Sequence, residues 1–323
     1  MRAVRLLRAG SRLEDAELPE PVAGEGETRV RIEAAGICHS DAHYRDGAGR
    51  VNLPLTLGHE IAGVVEETGQ RVALHYLLPD GDMLGKERDG GYAESIVVPS
   101  ANLVPVPDEV PFDEAAVMMC STATAYHALR LASPVPGQSV AILGLGGLGV
   151  SAAQLARVAG AGQVFAVDVR RDKLAHAASF GATPLDDAGA LRNIDVVLDF
   201  AGHAPTTLTA LRALAFGGRL VVVAINLRSL EFDPYADVLV RQRSIIGCSD
   251  HTREELVELM ELARTKRISL AGTITRRVGL DAAEIDAVLD DLVRGTPHLR
   301  TVITPTPRGG ASSCARTSPR PRP

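Results

Sequence analysis

The stretch "SVAILGLGGLGVSAAQLARVAGA", residues 139–161, joins an apolar run to a helical pattern through a glycine-rich turn. Gly144, Gly146 and Gly149 follow the spacing G-x-G-x-x-G. In such a turn the first glycine permits a tight bend, the second lets a pyrophosphate approach the backbone, and the third lets helix and strand pack closely. The stretch predicts a strand–turn–helix unit that binds a dinucleotide through Gly144, Gly146, Gly147, Leu148 and Gly149.

An acidic residue at the end of the next predicted strand indicates which dinucleotide binds. Asp168 closes the run "VFAVDV", 24 residues after Gly144. A carboxylate at this point would bind the adenosine ribose hydroxyls of NAD and repel the 2′-phosphate of NADP. Arg170 and Arg171 keep NADP open, because an arginine there could accommodate that phosphate. We therefore expect NAD, with NADP as the less favoured alternative.

Length and composition limit the class of protein. The 323 residues suffice for two domains, and 46% hydrophobic with 23% charged residues is typical of globular proteins. A net charge of −6 argues against a nucleic-acid partner, and no uninterrupted apolar run predicts a membrane span. The N-terminus does not resemble a signal peptide, and the four cysteines are scattered. We expect a cytoplasmic protein without a disulfide framework.

The pattern of apolar and turn-forming residues changes near residue 112. Before this point, short β-branched runs broken by glycine and proline predict a mostly β domain. Beyond it, a predicted helix over residues 113–132 leads into strands and helices that alternate at short period, as a doubly wound parallel sheet requires. We predict an α/β fold with a Rossmann-type domain over residues 123–250, a catalytic domain over residues 1–122 and 251–305, and a disordered tail over residues 306–323.

Potential metal ligands occur in three separated segments. Cys38 opens the polar run "GICHSDAHYRDG", "LGHEIAG" supplies His59 and Glu60, and Cys120 lies in the predicted helix. Catalytic zinc typically takes three protein ligands from cysteine, histidine and carboxylate, with one position left for water or substrate. Each residue alone also has a simpler interpretation, because Cys120 could be a small buried hydrophobe and His59 a core histidine.

The order of these segments along the chain removes that ambiguity. Residues 1–305 resemble the zinc-dependent alcohol dehydrogenase branch of the medium-chain dehydrogenase/reductase superfamily. The resemblance rests on Asp168 and on the motifs "GICHSDAH", "LGHEIAGVV", "DGGYAESIVVP", "CSTATAYHAL" and "GLGGLG". It implies a GroES-like catalytic domain beside the Rossmann domain. It also implies hydride transfer between NAD and a primary or secondary alcohol, or the matching aldehyde or ketone.

The resemblance implies a role for each candidate metal ligand. Cys38, His59 and Cys120 would bind the catalytic zinc, and Glu60 would be an occasional fourth ligand. Asp41 matches the acid that hydrogen-bonds the zinc-ligating histidine and fixes its tautomer.

The same resemblance assigns the proton relay and the substrate pocket. Ser40 would take the proton from the alcohol, and His43 would form the outer end of the relay. Tyr76 would line the substrate pocket.

Four further residues are implied as cofactor contacts. His39 falls where relatives place a basic residue near the pyrophosphate, and Arg300 would bind the pyrophosphate from the returning segment. Thr124 matches a contact to the nicotinamide ring, and Lys173 resembles a lysine near the adenosine ribose.

Two departures from the family pattern affect the first domain. Relatives often hold a structural zinc in a lobe with four closely spaced cysteines, but "LLPDGDMLGKER", residues 77–88, contains none. The run "VVEETG" also leads directly into "QRVALH", where relatives have a longer connection. We expect one zinc per chain, the catalytic one.

Other interpretations stay open on sequence grounds. A metal-free reductase of the same superfamily would act on quinones or enones, but it would not need the ligand set. A dinucleotide-binding protein without turnover would account for the two shortened segments. The expected partners are a small alcohol or carbonyl substrate and further copies of the chain, as a homodimer or homotetramer.

Overall fold

The computed structural model of the chain describes residues 1–49, 51–225, 228–295 and 299–305. The tail predicted over residues 306–323 lies outside the described residues. The N-terminal part consists mainly of short strands, with one short helix, α1 (His39–Arg45), after the third of them. The strands are β1 (Arg2–Leu6), β2 (Glu14–Glu17), β3 (Glu27–Ile37), β4 (Leu55–Thr56), β5 (Glu60–Val65), β6 (Arg71–Leu74), β7 (Ser95–Pro99) and β8 (Leu103–Pro105).

A helical segment then connects to the parallel sheet. It comprises α2 (Phe112–Val117), a π-helical turn (Met118–Thr122) and α3 (Ala123–Ala132). The continuous α-helix predicted over residues 113–132 is therefore interrupted. A π turn fits one extra residue into the helix and is frequent at functional sites. It has no signature in the apolar periodicity, because the residues on both sides remain helical.

The middle of the chain alternates strand and helix. The strands are β9 (Ser139–Leu143), β10 (Gln163–Val167), β11 (Thr183–Leu185), β12 (Ile194–Asp199), β13 (Leu214–Val222) and β14 (Ser244–Gly247). The helices are α4 (Gly147–Val158), α5 (Arg171–Ser179) and α6 (Ala204–Ala213). All strand pairs are parallel, in the order β11-β10-β9-β12-β13-β14. This order confirms the predicted doubly wound α/β fold, and its winding reverses between β9 and β12, where ligands bind.

Strand β9 shows why the apolar run of the opening stretch forms the centre of this sheet. Its side chains alternate between the two faces. Val140 and Ile142 pack into one hydrophobic cluster, and Ala141 and Leu143 pack into another on the opposite face. All four side chains are fully buried, as expected for a parallel strand covered by helices on both sides.

The chain then returns to the N-terminal part. The returning elements are α7 (Arg253–Arg264), β15 (Ile274–Val278), α8 (Ala282–Arg294) and β16 (Arg300–Ile303). They complete a mixed sheet of order β15-β16-β3-β5-β6-β8, with β7 also paired to β3. Strand β16 runs antiparallel to β3, with Val302 opposite Gly36. Strand β16 therefore lies beside the strand that leads to Cys38.

Two further features complete the architecture. Strands β2, β1 and β4 form a small separate sheet at the N-terminus. Within the described ranges, no helix combines the length and the apolar character needed to cross a membrane.

Candidate metal and cofactor site

Four potential ligand side chains meet in the catalytic domain. Cys38 follows β3 and caps α1, His59 precedes β5, Glu60 starts β5, and Cys120 lies in the π turn. Strand pairing brings the first two segments together, because Gly36 of β3 lies opposite Glu60 of β5. The ligand atoms of Cys38, His59, Glu60 and Cys120 all lie within 4.8 Å of one another. We call these four residues the metal cluster.

The donor set and its burial fit a zinc ion. Cys38, His59 and Glu60 are buried, Cys120 is half-buried, and both thiols are free. Two sulfurs, an imidazole and a carboxylate are ligands that zinc accepts, whereas the harder magnesium and calcium ions prefer oxygen. Hydrogen bonding from the Cys120 thiol holds the pKa of Cys38 well below its usual range. A buried thiol with a lowered pKa readily becomes a thiolate. This negative charge favours a bound cation, because an unpaired charge is costly away from water.

Asp41 organises the cluster through three hydrogen bonds. Its Oδ1 lies 3.1 Å from Nδ1 of His59. Its Oδ2 accepts from the backbone N–H of Cys38 and from the hydroxyl of Tyr92, both at 2.8 Å. Because a carboxylate only accepts, Nδ1 of His59 donates to Asp41, which leaves Nε2 as the nitrogen that would bind a metal.

The position of Tyr92 depends on a glycine next to the predicted histidine ligand. Gly58 has a φ of +96°, and a Cβ added there would lie 2.5 Å from the Tyr92 ring. Gly58 thus provides both the backbone conformation and the space for the tyrosine. Tyr92 belongs to the motif "DGGYAESIVVP", but sequence reasoning gave it no role.

Arg300 connects the metal cluster to the dinucleotide turn. Its guanidinium pairs with the carboxylate of Glu60, and both side chains are buried. A Cβ added to Gly147 would overlap Cδ of Arg300, so the side chain lies against the start of α4. Burial raises the pKa of Glu60 to about 7 although the Arg300 charge opposes the change. The expected pyrophosphate contact of Arg300 stays a prediction, and its place beside the turn is compatible with it.

The two residues expected to relay the proton, Ser40 and His43, lie on α1. The Ser40 hydroxyl is 3.8 Å from the Cys38 sulfur, at the edge of the metal cluster. His43 is exposed, and its ring stacks on His39 at 4.9 Å between centroids. The geometry thus places Ser40 at the cluster and His43 at the surface.

A cavity of about 600 Å³ follows the carboxyl ends of β9, β10 and β12. Its lining includes several of the residues predicted to bind the cofactor, namely His39, Gly144, Gly146, Asp168 and Lys173. Gly147, Leu148 and Gly149 begin α4, and a Cβ on Gly149 would overlap the carbonyl oxygen of Gly144. Close packing of helix and turn therefore requires glycine at this position.

Asp168 lies at the point expected for a ribose-binding acid. Its Oδ2 accepts from the N–H of Leu145 at 2.7 Å, and its Oδ1 accepts from the N–H of Arg170 at 2.9 Å. The carboxylate is thereby fixed at the edge of the cavity. Thr124 lies apart from this group, buried on α3 four residues after Cys120.

Comparison with known proteins identifies the family. The alcohol dehydrogenase GroES-like domain matches residues 24–108, and the zinc-binding dehydrogenase family matches residues 147–265. The NAD-dependent alcohol dehydrogenase of Sulfolobus acidocaldarius is 31% identical, over 95% of this chain and 100% of its own. This chain belongs to the zinc-type medium-chain dehydrogenases. The predicted family is confirmed, and the protein is an oxidoreductase of the alcohol dehydrogenase type.

Two further relatives of this medium-chain dehydrogenase extend the comparison. The alcohol dehydrogenase of Geobacillus stearothermophilus is 32% identical, over 90% of this chain and 96% of its own. The acetophenone reductase of Geotrichum candidum, solved in complex with NAD, superposes with a TM-score of 0.82 at 29% identity. That superposition covers 94% of this chain and 96% of the reductase.

Tyr76, the residue expected to line the substrate pocket, lies next to the metal cluster. Its ring is 5.3 Å from the ring of His59, measured between centroids. Its hydroxyl donates to Oδ1 of Asp250 at 2.9 Å. Asp250 and the neighbouring His251 had no motif around them, and only the fold brings them to this place.

We predict that Asp41→Asn weakens zinc binding about 10- to 100-fold, because the amide orients His59 less well and lowers its basicity. Competition with a chromophoric zinc chelator measures the change. Asp82→Asn is the matched control, since Asp82 pairs with Arg88 away from the cluster. An unchanged zinc affinity in folded Asp41→Asn protein would contradict the orienting role.

Proposed function

We propose that this protein is a zinc-dependent, NAD-linked alcohol dehydrogenase or carbonyl reductase. The observation that carries the proposal is the position of Arg300, which pairs with Glu60 of the metal cluster and packs against Gly147 of the dinucleotide turn. A metal site and a cofactor site joined by one buried side chain are close enough to serve one reaction. A metal-free reductase or a protein without turnover would leave the four-ligand cluster unexplained.

Cys38, His59 and Cys120 would hold one zinc ion, with Glu60 as an occasional fourth ligand. When bound, zinc supplies a Lewis acid for an alcohol or carbonyl oxygen, and the nicotinamide supplies the hydride acceptor or donor. Arg300 would keep the Glu60 carboxylate in place while other ligands exchange. The adjacent thiols of Cys38 and Cys120 need reducing conditions, which supports a cytoplasmic location.

Ser40 and His43 would move the proton. The Ser40 hydroxyl lies at the edge of the cluster, so it can accept the proton of a substrate hydroxyl held there. The exposed ring of His43 lies on the same helix and can pass a proton to solvent. Proton transfer by positioned groups of this kind typically contributes 10²- to 10⁴-fold to the rate.

The cavity beside the dinucleotide turn would hold NAD. The N-terminus of α4 offers unpaired backbone N–H groups to the pyrophosphate, and Asp168 offers a carboxylate to the ribose hydroxyls. Lys173 lines the same cavity and would contribute positive charge, whereas burial lowers the pKa of His39, which would therefore offer its neutral ring as a hydrogen-bonding group. Thr124 and Arg300 would contact the nicotinamide ring and the pyrophosphate, respectively.

We predict one zinc per chain in protein purified without added metal, as measured by elemental analysis. Cys38→Ser and Cys120→Ser should each lose most of the zinc and the alcohol-dependent reduction of NAD, because each removes a thiolate ligand. Cys248→Ser is the matched control, since Cys248 is buried outside the cluster. Two zinc ions per chain, or full activity without zinc, would contradict the proposal.

For cofactor choice, we predict that Asp168→Ala lowers the ratio of kcat/KM for NAD to that for NADP at least tenfold. The substitution removes a hydrogen-bond acceptor for the ribose and the negative charge that repels a 2′-phosphate. Asp186→Ala is the control and should leave the ratio unchanged. It removes a different carboxylate from the lining of the same cavity. An unchanged ratio would assign the discrimination to other residues.

We propose that the protein associates with itself along β14. This strand is at the edge of the parallel sheet, so one side of its backbone has no neighbouring strand among the described elements. Exposed apolar side chains lie on or near this edge, namely Phe216, Ile225, Tyr235, Leu239, Val240 and Ile245. Exposed strand edges and apolar patches of this kind favour pairing with a second chain.

Ile245→Lys should therefore shift the protein toward the monomer mass of 34.1 kDa, as measured by light scattering during size-exclusion chromatography. The lysine would place a charge in the apolar contact. Val293→Lys, on the exposed face of α8, is the control. A wild-type protein that is already monomeric would refute the self-association.

A further inference from the structure

A group of polar side chains lies between the end of β6 and the segment that follows β14. We call His75, Tyr76, Asp250 and His251 the polar wall. The ring of His251 is 5.0 Å from that of Tyr76 and 5.4 Å from that of His75, between centroids. Asp250 has a φ of +58°, a left-handed conformation that is uncommon outside glycine, and it accepts the Tyr76 hydrogen bond. Such backbone conformations cluster at ligand-binding sites.

The polar wall holds buried ring nitrogens without partners. His251 is only 5% exposed, yet neither of its ring nitrogens has a hydrogen-bond partner in the part of the chain that the structure describes. Nε2 of His75 is buried and equally unpartnered there. Burial lowers the pKa of His251 to about 3, so its ring is neutral near pH 7 and offers one donor and one acceptor. Buried groups of this kind are normally satisfied by a ligand or by water.

The polar wall adjoins the metal cluster. The ring of Tyr76 stands edge-on between those of His59 and His251. Burial, followed by the charges of Cys120 and Asp250, raises the pKa of Tyr76 well above its usual range, so its phenol stays protonated and donates to Asp250. A substrate whose reacting oxygen is held at the cluster would extend past this tyrosine.

We propose that His251, supported by His75, binds a second hydroxyl group of the substrate, so that diols and hydroxyketones are preferred over monohydric alcohols. This inference rests on the proposed dehydrogenase function. A hydroxyl matches the wall because it can accept from an N–H of one imidazole and donate to an unprotonated nitrogen of the other, His251 or His75. The carboxylate of Asp250 disfavours an acidic substituent at the same place, because like charges repel.

The chemistry at the reacting carbon would be the same for both substrate classes. The carbinol carbon loses a hydride, which converts NAD⁺ to NADH, and the reacting hydroxyl releases its proton to solvent. The second hydroxyl is unchanged in the reaction. Its hydrogen bonds to the polar wall would act on binding and orientation only.

The test compares propane-1,2-diol, butane-1,3-diol and butane-1,4-diol with propan-1-ol and butan-1-ol, using NAD and wild-type enzyme. His251→Leu should lower kcat/KM for the preferred diol about three- to tenfold, mainly through KM, because a hydrogen bond to an uncharged group is lost. The values for the monohydric alcohols should change less than twofold. His251→Asn, which keeps a donor and an acceptor, should recover part of the loss.

Two controls separate recognition from stability. His176→Leu removes a histidine of α5 whose Nε2 is also buried and unpartnered, and it should leave the ratio of diol to alcohol activity unchanged. Circular dichroism and thermal unfolding show whether each variant is folded. If His251→Leu does not fold, His75→Leu provides the same comparison.

The outcomes are distinguishable. A wild-type enzyme that oxidises monohydric alcohols as well as any diol overturns this inference alone, and so does a His251→Leu variant that loses both activities equally. A second zinc ion per chain that His251→Leu removes would also overturn it, because the ring nitrogens would then be metal ligands. Failure of the wild-type enzyme to reduce NAD with any alcohol overturns the proposed function together with this inference.

Discussion

The carboxylate of Asp41 accepts hydrogen bonds from three parts of the chain, and the geometry of the metal cluster depends on them. One comes from the backbone at Cys38, one from the ring of His59 and one from the hydroxyl of Tyr92. The carboxylate is fully buried, so each lost bond would leave a polar group without water to replace it. A single acid thus fixes the start of α1, the tautomer of a proposed ligand and the position of an otherwise unassigned tyrosine.

Segment 77–88 shows how the first domain closes without a cysteine-bound lobe. Arg88 pairs with Asp80 and Asp82, but these side chains are largely exposed, so the pairs contribute little to stability. Backbone contacts matter more, because a Cβ on Gly85 would lie 2.8 Å from the backbone of Gly58. The short segment therefore packs directly beneath the residue that precedes His59. It supports the cluster through this backbone contact.

Through Arg300, the returning strand β16 connects two sites in addition to completing a sheet. Strand β16 pairs with β3, which leads to Cys38, and Arg300, the first residue of β16, reaches both Glu60 and the start of α4. The metal cluster and the dinucleotide turn are otherwise built on different sheets. The side chain of Arg300 is buried and charged. A displacement of the dinucleotide turn would therefore disturb the ion pair between Arg300 and Glu60 in the metal cluster. The two sites are positioned as a unit.

Short-range sequence patterns predicted the elements that form among residues close together in the chain. Strand β9, the glycine turn, α4 and Asp168 could be predicted because a strand–turn–helix forms within one run of sequence. The cluster residues could be named from their motifs, although only pairing of β3 with β5 explains why they meet. The π turn at Cys120 escaped prediction, since apolar periodicity does not distinguish it from an α-helix.

Only the tertiary structure decided the contacts between residues far apart in sequence. Tyr92 and Asp41 are separated by 51 residues, Tyr76 and Asp250 by 174, and Glu60 and Arg300 by 240. No local pattern encodes such pairs, because each depends on how sheets and returning segments pack. The sequence by itself determined which chemical groups this dehydrogenase carries, whereas long-range packing decided which of them touch.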